Sequence, residues 1–250
     1  MNIRRRCYKI YWRLQSVIAP SLKYSQTIYE EILRKYSTAK KYWLDLGCGH
    51  QLLPPWRADQ EREVVQHVKL LVGLDYDFKS LMKHKTIHHR IQGDISVLHF
   101  ADNCFDLVTS NMVIEHLKEP KTQLAEVFRV LKPGGILIFH TPNILGYDTT
   151  IARLAPKPLI GKLIYFFQSR KEEDVFPAYY RLNSHNSIKK AAISIGFQIK
   201  HIRLIVSTAQ LVMIPPLVIL ELMFIRALMT GYCKPFRTNI IAILQKPNFE

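Results

Sequence analysis

The chain has 250 residues, 48% of them hydrophobic and 11% aromatic, with ten glycines and thirteen prolines, a composition that excludes a disordered tail and a fibrous repeat and suits one domain with appendages. Thirty-five Lys and Arg against 20 Asp and Glu give a formal charge of +15. Residues 1–43 hold ten basic and two acidic side chains, residues 44–143 eleven and twelve, and residues 144–250 fourteen and six, so a neutral middle lies between cationic flanks and the excess charge says more about docking than about chemistry.

In chain order, residues 1–40 read as a basic, helical N-terminal arm. Ile28, Ile32, Leu33 and Tyr36 recur at helical spacing over residues 24–36. A domain over residues 41–250 follows. Short apolar strands are predicted at 42–46, ending in Gly47-Cys48-Gly49, at 70–74, ending at Asp75, at 90–92, ending near Asp94, and at 105–110 and 136–140. Between the last two lies a helix over 121–131, ended by Pro133-Gly134-Gly135. A helix over 187–195 ends at Gly196, and two late strands occupy 197–204 and 239–244. The stretches 144–186 and 205–237 look like additions to the sheet. Strands alternating with helices predict an α/β fold: a Rossmann-like, seven-stranded, mostly parallel sheet with helices on both faces and an antiparallel last strand.

Asp45-Leu46-Gly47-Cys48-Gly49 places a tight glycine turn directly after a strand, where the backbone can approach a ligand and reach positive φ. Asp75 closes the next strand, and a carboxylate there accepts both hydrogens of a ribose diol. Gly47-Cys48-Gly49-His50-Gln51-Leu52 stops after two glycines, so the pyrophosphate cradle of a dinucleotide site is incomplete. A ligand with a ribose and no phosphate suits this turn better.

WLDLGCG (43–49), VGLDYD (72–77), GDI (93–95), FDLVTSNMVIEHL (105–117) and EVFRVLKPGGILIFHTPN (126–143) together resemble class I S-adenosylmethionine-dependent methyltransferases, closest to the small-molecule branch that includes quinone-pathway enzymes. Gly196-Phe197 and the final strand continue the match. The resemblance implies that Asp45 organises the first loop near the methionine ammonium, that Gly47 and Gly49 pass under the amino-acid part and ribose, and that Asp75 holds the ribose hydroxyls with Tyr76 beside the adenine. It further implies Asp94 at the adenine amino group, Ile95 along the ring, and Asn111 and Met112 at the methionine portion. Two departures from the pattern stand out. Gln51 replaces a third glycine, and the stretch from Gly49 to Asp75 is longer than usual and contains Pro54-Pro55-Trp56, which predicts a lid or an altered substrate wall.

Methyl transfer to oxygen or nitrogen needs an aligned nucleophile and a base for its proton. His116, after the fourth strand, and His140, ending the fifth, are the catalytic candidates. Phe176 to Asn183 is an aromatic and polar block whose Tyr180, Arg181 and Asn183 either contact an acceptor or pack an insertion. His84, His88 and His89 read as an exposed loop face and not a metal site, because no acidic or cysteine partner has ligand spacing. Asp106 reads as structural. Cys7, Cys48, Cys104 and Cys233 form neither a metal knuckle nor a disulfide framework.

Residues 204–220 contain no charged side chain, and Pro215-Pro216 is expected to split the apolar run into two halves. The halves either bury themselves in a substrate subdomain or homodimer seam, or lie in a membrane interface, where the cationic flanks favour an anionic surface. A second amphipathic patch is expected over 159–167. The expected function is S-adenosylmethionine-dependent methylation of a small or lipid-like acceptor at oxygen, in the cytoplasm or peripherally on the cytoplasmic face of a membrane. The alternatives are RNA methylation, against which Ser110-Asn111-Met112-Val113 stands where an NPPY-like tetrad would be, and a non-catalytic cofactor-binding scaffold.

Overall fold

A computed structural model describes residues 3–154 and 176–248 of the chain. Seven strands, β1 (Tyr42–Leu46), β2 (Leu70–Asp75), β3 (His89–Gln92), β4 (Phe105–Asn111), β5 (Leu131–Pro142), β6 (Gln198–Ile205) and β7 (Asn239–Gln245), form one sheet in the order β3-β2-β1-β4-β5-β7-β6. β1 pairs in parallel with β2 and β4, β2 with β3, and β4 with β5. β7 runs against β5: Lys246 N–H donates to Gly135 O at 2.9 Å near one end, and Asn143 N–H to Thr238 O at 2.7 Å near the other. The chain builds outwards from β1 through β2 to β3, then returns to lay β4 on the other side of β1. Their carboxyl ends therefore meet at a topological switch point, the place where open α/β sheets bind ligands.

The described helices are α1 (Ile3–Ile18), α2 (Ser25–Tyr36), α3 (Ala58–Gln66), α4 (Phe78–Lys83), α5 (Pro120–Val130), α6 (Tyr147–Leu154), α7 (His185–Ile195) and α8 (Pro215–Leu228). The Cα framework divides into two compact units: one from the described parts of 1–25, 142–177 and 204–239, the other from those of 26–141, 178–203 and 240–250. The second unit contains almost all of the sheet, and its core is built on the fully buried Trp43, Leu44, Val108, Ile138 and Phe139.

The first unit has its own core, in which Tyr11, Ala19 and Leu22 meet Val206, Val212, Val218, Leu222, Ile225 and Leu228. Full burial of each such aliphatic side chain contributes about 1.5–3 kcal/mol. Glu221 lies on the same inner face of α8. It accepts from Gln210 N–H and Leu211 N–H at 2.8 Å each and from Tyr147 Oη–H at 2.7 Å, which is what an acid needs in an apolar helix. Arg237 donates to the carbonyls of Leu228, Met229 and Thr230, satisfying the last turn of α8, and to Leu204 O on a neighbouring segment.

Two expectations are corrected. Pro215 and Pro216 do not split an apolar helix; they begin α8, because proline's missing N–H costs nothing in a first turn and its fixed φ suits one. The helix over 121–131 is ended by Leu131 turning extended, and the sequence Pro133-Gly134-Gly135 lies inside β5. The irregular register between Phe105 and Leu107 accommodates it there. The amphipathic patch over 159–167 lies outside the described residues.

Candidate active site

β1 delivers Asp45 to the sheet's carboxyl end in register with Thr109 of β4. The Thr109 hydroxyl donates to Asp45 Oδ1 and itself accepts from Trp43 Nε1–H at 2.6 Å. Asp45 is buried, and burial above all lifts its carboxyl to about 7; the Thr109 hydrogen bond opposes the rise, while the negative charges of Asp75 and Glu61 add to it.

The chain then turns sharply. Gly47 N–H donates to Leu74 O at 2.7 Å, tying the loop to β2. Gly47 has φ +67°, and a Cβ there would lie 2.3 Å from a Val113 methyl, so both conformation and space demand glycine. Gly49, at φ +54°, is different: nothing approaches within 4 Å of where its Cβ would be. Its N–H donates to Asp75 Oδ2 at 2.7 Å, and Asp75 Oδ1 accepts from Asp77 N–H at 2.8 Å. Asp45, Gly47, Gly49 and Asp75 are thus brought together as one cradle. Gly93 N–H donates to Asp75 O at 3.0 Å, which places the end of β3 and the following Asp94 and Ile95 beside it. Asp94 is exposed and accepts from Ser96 N–H at 2.7 Å, and Tyr76 is 73% exposed.

The other wall follows β4. Asn111 forms a reciprocal amide pair with Gln26 (2.9 and 3.3 Å), and its Oδ1 also faces His140 Nδ1 at 3.0 Å. With the amide so oriented, the His140 proton sits on Nδ1. The imidazole is fully buried, stacks on Tyr29 with ring centroids 5.6 Å apart, and is pushed down to about 3 by burial, so it is neutral at physiological pH. Met112 follows at φ +57°, and a short 3-10 turn over Ile114–His116 carries His116, half-buried, with its N–H donating to Val113 O at 2.9 Å. The residue packed over Gly47 therefore also anchors the His116 turn.

The aromatic block is fastened to this turn. Glu115 O accepts from Tyr179 and Tyr180 N–H, Tyr180 having φ +52°, and the buried Glu115 carboxylate accepts from Thr141 Oγ1–H at 2.9 Å. Asn183 is buried and donates to Thr141 Oγ1 at 2.7 Å; Arg181 donates to Lys118 O at 2.7 Å. Asn183 thus has a framework role, while Tyr179 and Tyr180 stand beside Glu115 and His116.

One expectation fails at the histidine run. His88 and His89 are exposed, but His84 is buried, with Nδ1 facing Ile87 N–H at 3.2 Å and its pKa lowered to about 4 by burial. It is an internal turn-former, since two backbone amides nearby need an acceptor. Among the described residues, no cluster of three or more His, Cys, Asp or Glu side chains is placed to hold a metal ion. Asp106 accepts from Tyr42 N–H and from Lys132 Nζ at 2.9 Å each, a structural role as expected.

The residues that escaped sequence reasoning are supports. Glu61 of α3 accepts from Leu52 N–H at 3.1 Å, Leu53 N–H at 2.8 Å and the Thr86 hydroxyl, pinning the loop after Gly49. The Pro54-Pro55-Trp56 stretch, expected to be a lid or wall, includes a 3-10 turn over Pro55–Arg57 leading into α3, with Arg57 paired to the buried Glu30 at 2.6 Å. Thr109 is one of four polar residues in β4, with Asp106, Ser110 and Asn111, so nothing in the sequence marks it as the partner of Asp45.

The family description "methyltransferase domain" matches residues 44–139, the segment that holds the cradle and the His116 turn. Residues 44–139 thus match a methyltransferase domain, in keeping with the resemblance of their motifs to the class I S-adenosylmethionine-dependent superfamily. The chain is 32% identical over 121 residues to a malonyl-[acyl-carrier protein] O-methyltransferase of Erwinia billingiae, which covers 46% of this chain and 45% of that one. It is 52% identical over 48 residues to a demethylmenaquinone methyltransferase of Renibacterium salmoninarum, 19% and 20% of the two chains. The chain therefore spans less than half the length of these curated relatives. An S-adenosylmethionine-dependent methyltransferase structure from Mesorhizobium loti superposes with a TM-score of 0.54 over 86% of this chain and 96% of that one at 18% identity, a likeness of fold.

The cofactor of this superfamily is S-adenosyl-L-methionine, and the residues present fit it. The space over Gly49 is open to a ribose or amino-acid group. Each Asp75 oxygen accepts one backbone N–H and so keeps a lone pair for a hydroxyl. Asp45 supplies a buried carboxylate suited to an ammonium.

Proposed function

We propose that the protein transfers a methyl group from S-adenosyl-L-methionine to an oxygen of a small, lipid-like acceptor. The observation that carries this reading is the Asp45–Gly49–Asp75 cradle at the sheet's switch point, with the His116 turn anchored on the same loop through Val113. When bound, the cofactor supplies a methyl carbon activated by sulfonium. The protein's part is to hold, orient and deprotonate. Asp75 would hold the ribose diol, Asp45 the ammonium, and Asp94 and Ile95 the adenine, with Tyr76 on its edge. Asn111 and Met112 would border the methionine part.

His116 would take the acceptor's proton at an imidazole nitrogen as the new O–C bond forms. His140 would act through Asn111: neutral and buried, it donates from Nδ1 to Asn111 Oδ1 and so would fix the side chain that borders the methionine part. Tyr179 and Tyr180, held on Glu115 O, would flank the acceptor. Of the relatives named above, one is a demethylmenaquinone methyltransferase, which accords with a lipid-like acceptor, and one is an O-methyltransferase. A lipid-like acceptor partitions into bilayers, so the enzyme would work beside one.

The test is incubation of the protein with methyl-labelled cofactor and separate lipid, quinone, glycan and RNA fractions from the source cells. Label in an organic-soluble ether or ester is expected. Label in RNA would replace this reading by RNA methylation, and tight cofactor binding with no label in any fraction would replace it by a scaffold role. His116→Ala should lower kcat by roughly 10²–10⁴-fold with cofactor affinity unchanged. Retention of full kcat would remove His116 as the base.

A further inference from the structure

α8 is apolar around its whole circumference apart from Glu221 and Arg226. Val218, Leu222, Ile225 and Leu228 face inward, and Glu221 is occupied by its three hydrogen bonds. At about 100° per residue, the opposite arc runs Ile219, Met223, Ala227, Leu220, Phe224, Leu217, without a charge between its ends. That arc faces outwards: Leu220 is 63% exposed, Met223 58% and Phe224 47%. A helix apolar on all sides has its outer face covered by something other than water.

What covers it is indicated by the helix alongside. α1 packs on α8 through Tyr11, and Arg226 Nη1–H donates to Ile18 O at 3.1 Å. α1 carries five cations and no acid. Arg5, Tyr8, Lys9, Trp12 and Arg13 lie on one exposed face and line one open concavity. Beyond α8, Tyr232 and Phe236 are exposed beside Lys234.

We infer that α1 and α8 form a docking face for an anionic lipid bilayer, with the apolar arc of α8 inserted at the headgroup–acyl boundary and the cations of α1 on the phosphates. Interfacial aromatics, an apolar arc and adjacent cations are the combination such a surface binds. α8 has 14 residues, and no described helix is long and apolar enough to cross a membrane, so the helix lies in the interface plane. A second copy of the chain is the poorer occupant, because a two-fold seam sets the same surface against itself and would bring acid-free α1 helices together. RNA would pair with the cations but leave the α8 arc in water.

Docking on this face is independent of the acceptor and of methyl transfer, and its test uses neither. The full chain is floated with phosphatidylcholine vesicles with or without phosphatidylglycerol, at low and high salt. Recovery with the anionic vesicles is expected, reduced by salt. Arg5→Gln, Lys9→Gln and Arg13→Gln should each weaken binding about fivefold. Leu220→Asp with Phe224→Asp should abolish it while leaving cofactor affinity and the far-ultraviolet circular dichroism unchanged, although loss of the edge-on contact of Phe224 with Tyr147 lowers the melting temperature. No recovery with anionic vesicles, equal recovery with both kinds, or unaltered binding of the Leu220→Asp/Phe224→Asp variant overturns the inference. A dimer in light scattering that this double variant dissociates, without vesicle binding by the parent, would assign the arc to a subunit seam instead.

Discussion

Burial holds the Asp45 carboxyl at about 7, and a cation placed beside it draws the group back to its ionised form. With the ammonium at Asp45 as proposed, cofactor binding is expected to release a proton. Above about pH 7 Asp45 is already ionised and affinity is at its full value; below that, each pH unit weakens binding by up to tenfold, because a proton must leave as the ligand enters. Calorimetric titration across this range should show the slope, and Asp45→Asn should flatten it. A flat profile in the parent protein would move the ammonium away from Asp45. The same shift works in the opposite sense on the unliganded fold. A carboxyl raised from about 4 unfolded to about 7 folded contributes stability below the lower value and loses it as pH rises through the higher. Asp75 is a separate case, since its two oxygens already organise Gly49 and Asp77. Asp75→Ala removes the loop's latch together with the proposed diol acceptor, and about a hundredfold loss of cofactor affinity is expected from hydrogen bonds to a charged group. Unchanged calorimetric affinity would show that the ribose is held elsewhere.

The glycine turn keeps its shape because α3 reaches back to it. Glu61 receives two buried backbone N–H groups and the Thr86 hydroxyl, so Glu61→Ala strands two amides and should cost roughly 2–4 kcal/mol in urea unfolding, with weaker cofactor binding. Glu61→Gln, which keeps an acceptor oxygen, should recover part of both. A loss below about 0.5 kcal/mol would mark the contact as dispensable. This dependence also shows where the sequence was legible. β1, β2 and β4 announced themselves because buried parallel strands read as short apolar runs, and Asp45, Gly47, Gly49 and Asp75 because a ligand turn needs these residue types at these strand ends. Glu61, Gln26 and the Glu115–Thr141–Asn183 set gave no such signal: each is an ordinary polar residue whose partner lies 8 to 85 positions away. Pro215-Pro216 misled for a related reason. Proline ends one helix and starts another with equal ease, and only the packing of α8 on α1 decides which.

Across the molecule the charge and the chemistry occupy different stretches of chain. Residues 44–143, which carry the cradle and His116, are nearly neutral, whereas the cations concentrate in the flanking segments, α1 among them. Added salt should therefore separate two activities of one protein. Contacts at the cradle are short, partly buried and made to single groups, and screening acts weakly on such pairs. Cofactor affinity should change by less than about twofold between roughly 0.05 and 0.5 M salt. Attraction of exposed cations to an anionic bilayer decays within a Debye length, which shrinks from about 14 to 4 Å over that range, so vesicle binding should fall by at least about tenfold. Measuring both on the same preparation, by calorimetry and by flotation, makes each the control for the other. If cofactor affinity falls in parallel with vesicle binding, the cationic flanks contribute to the cofactor site and the division of charge from chemistry is wrong. If neither responds, the bilayer contact is apolar alone, and α1 has no electrostatic part in it.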